Sequence, residues 1–148
     1  MKKGIKDIFV EGAIPSTWIA NHIAKHSSKT TIGAHSIFLG QIRADQIEGK
    51  TVRAIEYTAH REMATRKMLE IREHIFEKHP ITCMHIHHSL GTVEAGEICF
   101  FVFTSSGHRK AAIAACEEVV ERIKKELPIW GKEVFEDDTH QWKVNLEN

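Results

Sequence analysis

The sequence predicts an α+β fold: one domain over residues 1–148, with a mixed or antiparallel sheet and three main helices. Three observations carry this. Residues 60–79 and 107–127 each repeat apolar side chains at helical spacing, and each stretch runs into a proline. Short β-rich segments surround them, and two of these, 81–88 and 97–105, flank a connection with Gly91 and Gly96 that reads as a hairpin. No repeat, linker or low-complexity block divides the 148 residues, a length that buries a real core in one domain.

Each element has its own reason. Residues 5–10 form an apolar opening strand. Pro15 is preorganised for a first helical turn, and Trp18, Ile19, His22 and Ile23 then share one face. Residues 30–43 are β-rich, with Ile32, Ile37, Phe38 and Ile42 among small residues; Gly33 and Gly40 mark bulges or close backbone approach. Residues 44–49 read as a polar, mobile loop, and 50–59 as a strand with Val52, Ala54 and Tyr57 inward. In the second helix Ala64, Met68, Ile71 and Ile75 make the buried stripe, widened by Leu69 and Phe76; in the third, Ala112, Cys116, Val119 and Ile123 do so. Residues 130–135 and 141–144 close the chain as short strands around an acidic turn, Glu136-Asp137-Asp138.

Composition excludes several function classes. Lys+Arg and Asp+Glu are both 20, so no basic excess favours a nucleic acid. The longest apolar run, residues 98–103, is far short of the ~20 residues of a membrane span. No apolar signal core follows Met1-Lys2-Lys3-Gly4. Cys83, Cys99 and Cys116 show no pairing motif and read as free thiols of a reducing, cytoplasmic compartment.

Three constellations bear chemistry. At Thr104-Ser105-Ser106-Gly107-His108-Arg109 a strand gives way to a helix, with Ser105 or Ser106 as N-cap. Its first N–H groups suit an anion that Arg109 would grip; the plainer reading is a capped helix with two exposed polar residues. At Lys124-Lys125-Glu126-Leu127-Pro128-Ile129-Trp130 the lysines complement the helix dipole, but the neighbouring apolar patch also suits an amine used as base or nucleophile. His85 and His87 share one face of a strand, yet no nearby Cys or carboxylate completes a metal site in that reading. Cys99 and Cys116 sit among apolar neighbours and read as packing residues.

Taken in order, Phe38-x-Gly40-x-x-Arg43, Glu56-Tyr57 before Met63-Ala64, His88-x-x-Gly91, Ser106-Gly107-His108-Arg109 and Lys124-x-x-x-Pro128-Ile129-Trp130-x-Lys132-Glu133 with Trp142 resemble the large, catalytic subunit of molybdopterin synthase. The resemblance spans about residues 5–142 and implies an α/β hammerhead-like fold. It implies sulfur transfer from the Gly-Gly thiocarboxylate of a small ubiquitin-like partner to cyclic pyranopterin monophosphate, with no metal or other cofactor. It also implies a homodimer within a heterotetramer. By the same resemblance Lys124 and Lys132 are the catalytic amines, and Phe38, Arg43, His108, Arg109, Gly131 and Glu133 contact substrate. Two departures stand out. The family often carries a lysine directly after the tryptophan, where this chain has Gly131, with Lys132 one residue later. A common His-Arg pair is His88-Ser89 here. The alternative reading is a non-catalytic module that binds an anion or pterin on the same fold.

Overall fold

The computed structural model describes residues 7–144. The chain runs β1 (Phe9–Glu11), α1 (Ser16–His26), β2 (Ala34–Gln41), β3 (Gln46–Ile47), β4 (Lys50–Ala59), α2 (Arg61–Lys78), β5 (Cys83–Glu94), β6 (Ile98–Ser106), α3 (Arg109–Glu126), β7 (Ile129–Phe135) and β8 (His140–Trp142). One sheet has the order β2-β6-β5-β4-β7-β8, with β1 on β5 and β3 on β4. Every pairing is antiparallel except the parallel β1–β5 contact. This is the α+β domain with three helices that the helical periodicities and β-rich runs predict.

The opening strand is seen only as Phe9–Glu11; Ile5 and Lys6 lie outside the described residues. The expected 44–49 loop instead contains β3, which folds back on β4 with Gln46 opposite Thr51. Glu48 and Gly49 make its tight turn, both with positive φ. The expected hairpin also differs. β5 runs on through Gly91 to Glu94, pairing with β6 over Cys83–His88 and with β4 over Gly91–Glu94. Gly91, at φ 79°, lies just beyond this change of partner, in a conformation that a side chain would resist.

The sheet has two unlike faces. Helices α2 and α3 cover one, packing Met68, Ile71, Ile75, Val119 and Ile123 against Met84, Ile86, Phe100 and Val102. At roughly 1.5–3 kcal/mol for each large apolar side chain removed from water, this layer dominates the fold's stability. The Thr104 hydroxyl donates to the Ala112 carbonyl at 2.7 Å and ties α3 to β6. Helix α1 lies on the other face, over Phe101 and Phe103, and His26 is its one buried residue. Trp18 and Ile23, on the face shared with Ile19 and His22, are partly exposed, at 39% and 46%. No helix among the described residues is long and apolar enough to cross a membrane.

Candidate active site

Where α3 ends, Pro128 turns the chain into β7, which pairs with β4. The C-terminus of α3, β7, the end of β2 and the segment before β3 enclose a cavity of ≈ 190 Å³ that opens to solvent. Lys124, Arg43 and Glu133 line it, with Tyr57, Cys99 and Trp130. Arg43, Lys124, Gly131 and Glu133, from distant parts of the sequence, thus line one cavity.

The polar groups are arranged around an apolar floor. The Lys124 ammonium stands 5.7 Å above the Phe100 ring, an attraction between a cation and the ring face. Arg43 makes a forked pair with Asp45, Nε–Oδ1 at 3.1 Å and Nη2–Oδ2 at 3.2 Å. Both groups are substantially solvent-exposed, so the pair is replaceable by an anionic ligand at small cost. Glu133 is buried, and its Oε1 accepts from the Gln141 amide at 3.3 Å. Beneath these lie Tyr57 and His88, ring to edge at 5.0 Å. Burial raises the Tyr57 phenol well above its ordinary range, with Cys99 adding to the shift. Burial lowers His88 to about 4, against a hydrogen bond from its Nδ1 to the Ser89 carbonyl and with help from the Lys124 charge. Burial also pushes the Cys99 thiol up, so it is a poor nucleophile, as its apolar sequence neighbours suggest.

The remaining site residues named from sequence lie elsewhere. Lys132 alternates away from Glu133. It pairs with Glu56 at 3.4 Å and stacks its ammonium over Trp142, 5.7 Å from the ring centroid. The ladder is regular there, with Gly131 opposite Tyr57 and Lys132 opposite Glu56, so no backbone adjustment turns Lys132 inward. Phe38 packs edge-on against Phe100 at 5.6 Å, behind the cavity rather than on its wall. His108 and Arg109 are exposed at the opposite end of α3. His108 itself is the N-cap residue, without a side-chain capping bond; Ser105 and Ser106 are buried, bonded to His35 and to the Pro80 carbonyl. Ser106 Oγ also accepts from the His108 N–H at 3.4 Å, so the expected hydroxyl serves the start of the helix from just before the cap position.

Gly131 has a packing reason. A Cβ there would stand 3.1 Å from Ile55 Cγ2 and 3.2 Å from Tyr57 Cε1, closer than those side chains readily allow. One residue escaped the sequence reading altogether. Lys143, just past β8, lines the same cavity, and its backbone N–H donates to the Gly131 carbonyl at 2.8 Å. Its only sequence signal is a lysine in a short terminal strand. Only the β7–β8 pairing brings it beside Lys124, so that three cations and two carboxylates, Asp45 and Glu133, surround the space.

A sheet flanked by one helix on one face and two on the other, with a cationic cavity at a helix C-terminus, describes a small enzyme-like α+β domain. Residues 15–126 match the family model described as MoaE protein. The chain belongs to that family. It is 36% identical over 123 residues to the molybdopterin synthase catalytic subunit of Aspergillus fumigatus, covering 83% of this chain and 65% of that protein. It is 37% identical over 129 residues to the Drosophila grimshawi protein of the same name, covering 86% of this chain and 35% of the relative. The chain thus spans between about a third and two thirds of these relatives' lengths. The structure of molybdopterin synthase from Staphylococcus aureus superposes with a TM-score of 0.80 at 32% identity, over 94% of this chain and 97% of that one. A complex of subunits 1 and 2 of molybdopterin-converting factor from Helicobacter pylori shares the fold, with a TM-score of 0.78 at 16% identity over 95% of this chain and 91% of that chain.

Proposed function

We propose that this protein is the catalytic subunit of a molybdopterin synthase. It would take sulfur from the C-terminal thiocarboxylate of a small ubiquitin-like partner and place it on cyclic pyranopterin monophosphate, in two rounds, to make the dithiolene. The observation that carries this reading is the cavity that joins Lys124, Arg43 and Lys143 around an apolar floor in a chain of the MoaE family. The thiocarboxylate sulfur is itself the nucleophile, so the protein's task is to hold anions and move protons. Arg43 exchanges its exposed Asp45 partner for a substrate phosphate. Lys124 stabilises negative charge as the cyclic phosphate opens and exchanges protons there. Lys143 is the second amine, occupying the side of the cavity next to Gly131.

His108 and Arg109 enter through a second copy of the chain. α3 is unbroken over Arg109–Glu126, so the sixteen residues from His108 to Lys124 span roughly 24 Å at ~1.5 Å per residue. One small phosphorylated pterin does not bridge that. In a two-fold dimer one copy's helix start meets the other's helix end, giving two equivalent shared sites. The partner's tail passes Trp130, and a Gly-Gly terminus suits a narrow slot because it has no side chains to exclude.

The test is dithiolene formation by the purified protein with a thiocarboxylated small partner and the cyclic pterin. Product on mixing supports the enzyme. A second reading, a binding module without chemistry, draws on Gly131 standing where the family often has lysine; it is supported if the pterin binds and no dithiolene forms.

A further inference from the structure

On the sheet face away from the cavity, five histidines gather under and beside α1: His22, His26, His35, His85 and His87, over Phe101 and Phe103. Strand alternation supplies part of the reason. Cys83, His85 and His87 are every second residue of β5, so all three point to this face. His26, in the last turn of α1, comes down onto the same spot.

We propose that His26, Cys83 and His85 bind a divalent ion of the zinc type, at a site separate from the cavity and independent of the function proposed for it. One donor atom from each residue lies within 4.8 Å of the others. Donors around one tetrahedral zinc sit roughly 3.3–3.8 Å apart, given bonds of ~2.0 Å to nitrogen and ~2.3 Å to sulfur. The two imidazoles are slightly closer than that, with Nε2 to Nε2 at 3.1 Å, so a small separation of the rings admits an ion.

The orientation of His26 is the second argument. Its Nδ1 is 2.6 Å from the His22 carbonyl, which only accepts, so Nδ1 carries the proton. Nε2 is then the acceptor of the 3.1 Å bond from His85 Nε2–H, and an ion entering between the two rings takes the place of that shared proton. An imidazole held at its far nitrogen by a carbonyl is the usual arrangement of a metal ligand. Two imidazoles and one thiolate suit zinc or cobalt and leave a fourth position for water. The Lys29 ammonium donates to the Cys83 sulfur at 3.1 Å and gives up that bond when the sulfur takes an ion. Lys29 is exposed, and its stem swings to solvent when an ion takes its place.

The consequence is mechanical. α1 buries only His26 and otherwise meets the sheet through partly exposed groups, Trp18 against His87 and Ile19 against Phe101 and Phe103. An ion shared by α1 and β5 clamps that helix down.

Cobalt(II) is the probe, added to metal-stripped, full-length protein. One equivalent should bind, with a thiolate-to-cobalt charge-transfer band in the near ultraviolet, and hydrogen exchange along α1 should slow. Cys83→Ser should lose the band, Cys116→Ser should keep it, and His85→Gln should weaken binding by about tenfold or more. Should these variants misfold, X-ray absorption of the zinc-loaded native protein decides, with one sulfur at ~2.3 Å and two imidazole nitrogens at ~2.0 Å expected. Absence of stoichiometric binding, a band that survives Cys83→Ser, or a sulfur-free first shell each overturns the proposal.

Discussion

The two ends of α3 carry the same kinds of side chain and make opposite surfaces. At the N-terminus, His108 and Arg109 stand exposed. At the C-terminus, Lys124 shares an open cavity with β7, the segment before β3 and Lys143 just past β8. The helix dipole favours anions at the first end and cations at the second. By that rule alone the anion site belongs at residues 105–109. The cavity instead lies where cations already sit, because tertiary walls, not the dipole, bring Arg43, Lys124 and Lys143 together. The dipole would count toward the same ligand only if a second chain delivers His108 and Arg109 to the cavity.

The strongest way to break this comparison is to disable each end. Lys124→Ala should lower dithiolene formation by about 10²–10⁴-fold, the usual worth of a positioned acid or base. Arg109→Ala should also be inactive if that end serves the same site. Subunit exchange between the two variants should then restore activity, since each mixed dimer holds one intact site. Persistent inactivity in mixed dimers confirmed by mass would show that the two ends work apart.

A pH titration of stability sharpens the contrast from below the cavity. His88 is held at about 4 in the folded protein by burial, against 6.5 for an ordinary histidine. Between those values the unfolded chain binds more protons, so stability is retained above pH 6.5 and declines as pH falls towards 4. The full loss from His88 is on the order of 3 kcal/mol. His85, also lowered to about 4 by burial and then by its histidine neighbours, acts in the same direction. Urea midpoints at pH 7 and pH 4.5 measure this; equal midpoints would mean that neither ring is held neutral by its surroundings. His88→Gln should flatten part of the slope.

Gly131→Ala should cost about 1–3 kcal/mol, because its methyl group presses on Ile55 and Tyr57. A neutral result by thermal unfolding would show that Tyr57 yields easily, and that a lysine at 131 is structurally admissible. The smallest effect separates the two remaining amines. Lys143→Ala should reduce turnover, but by less than Lys124→Ala does, since it removes a charge-stabilising group and not the acid or base. Lys132→Ala should stay near native, since its ammonium is engaged by Glu56 and Trp142. The reverse order would restore Lys132 as the second amine.

Much of this protein was legible in one dimension. The stripes of α2 and α3, their prolines and the alternating apolar strands determine the elements and the α+β class, because periodicity and chain stereochemistry are local. Ordered motifs singled out Arg43, Lys124 and Glu133, which the fold places on one cavity. What stayed illegible depends on pairing. β3 was hidden in a polar stretch because a two-residue strand has no period to detect. Lys132 looked closer to the family lysine than Lys143 does, yet the register of β7 on β4 turns it away and the β7–β8 pairing brings Lys143 in. Cys83 stood two residues from His85 in plain view. Its relation to His26 appears only when α1 folds across β5, fifty-seven residues away in sequence. Sequence alone determined which residues could form each element. Which side chains share a space was decided by strand register and helix docking, because those depend on contacts between segments that no local pattern encodes.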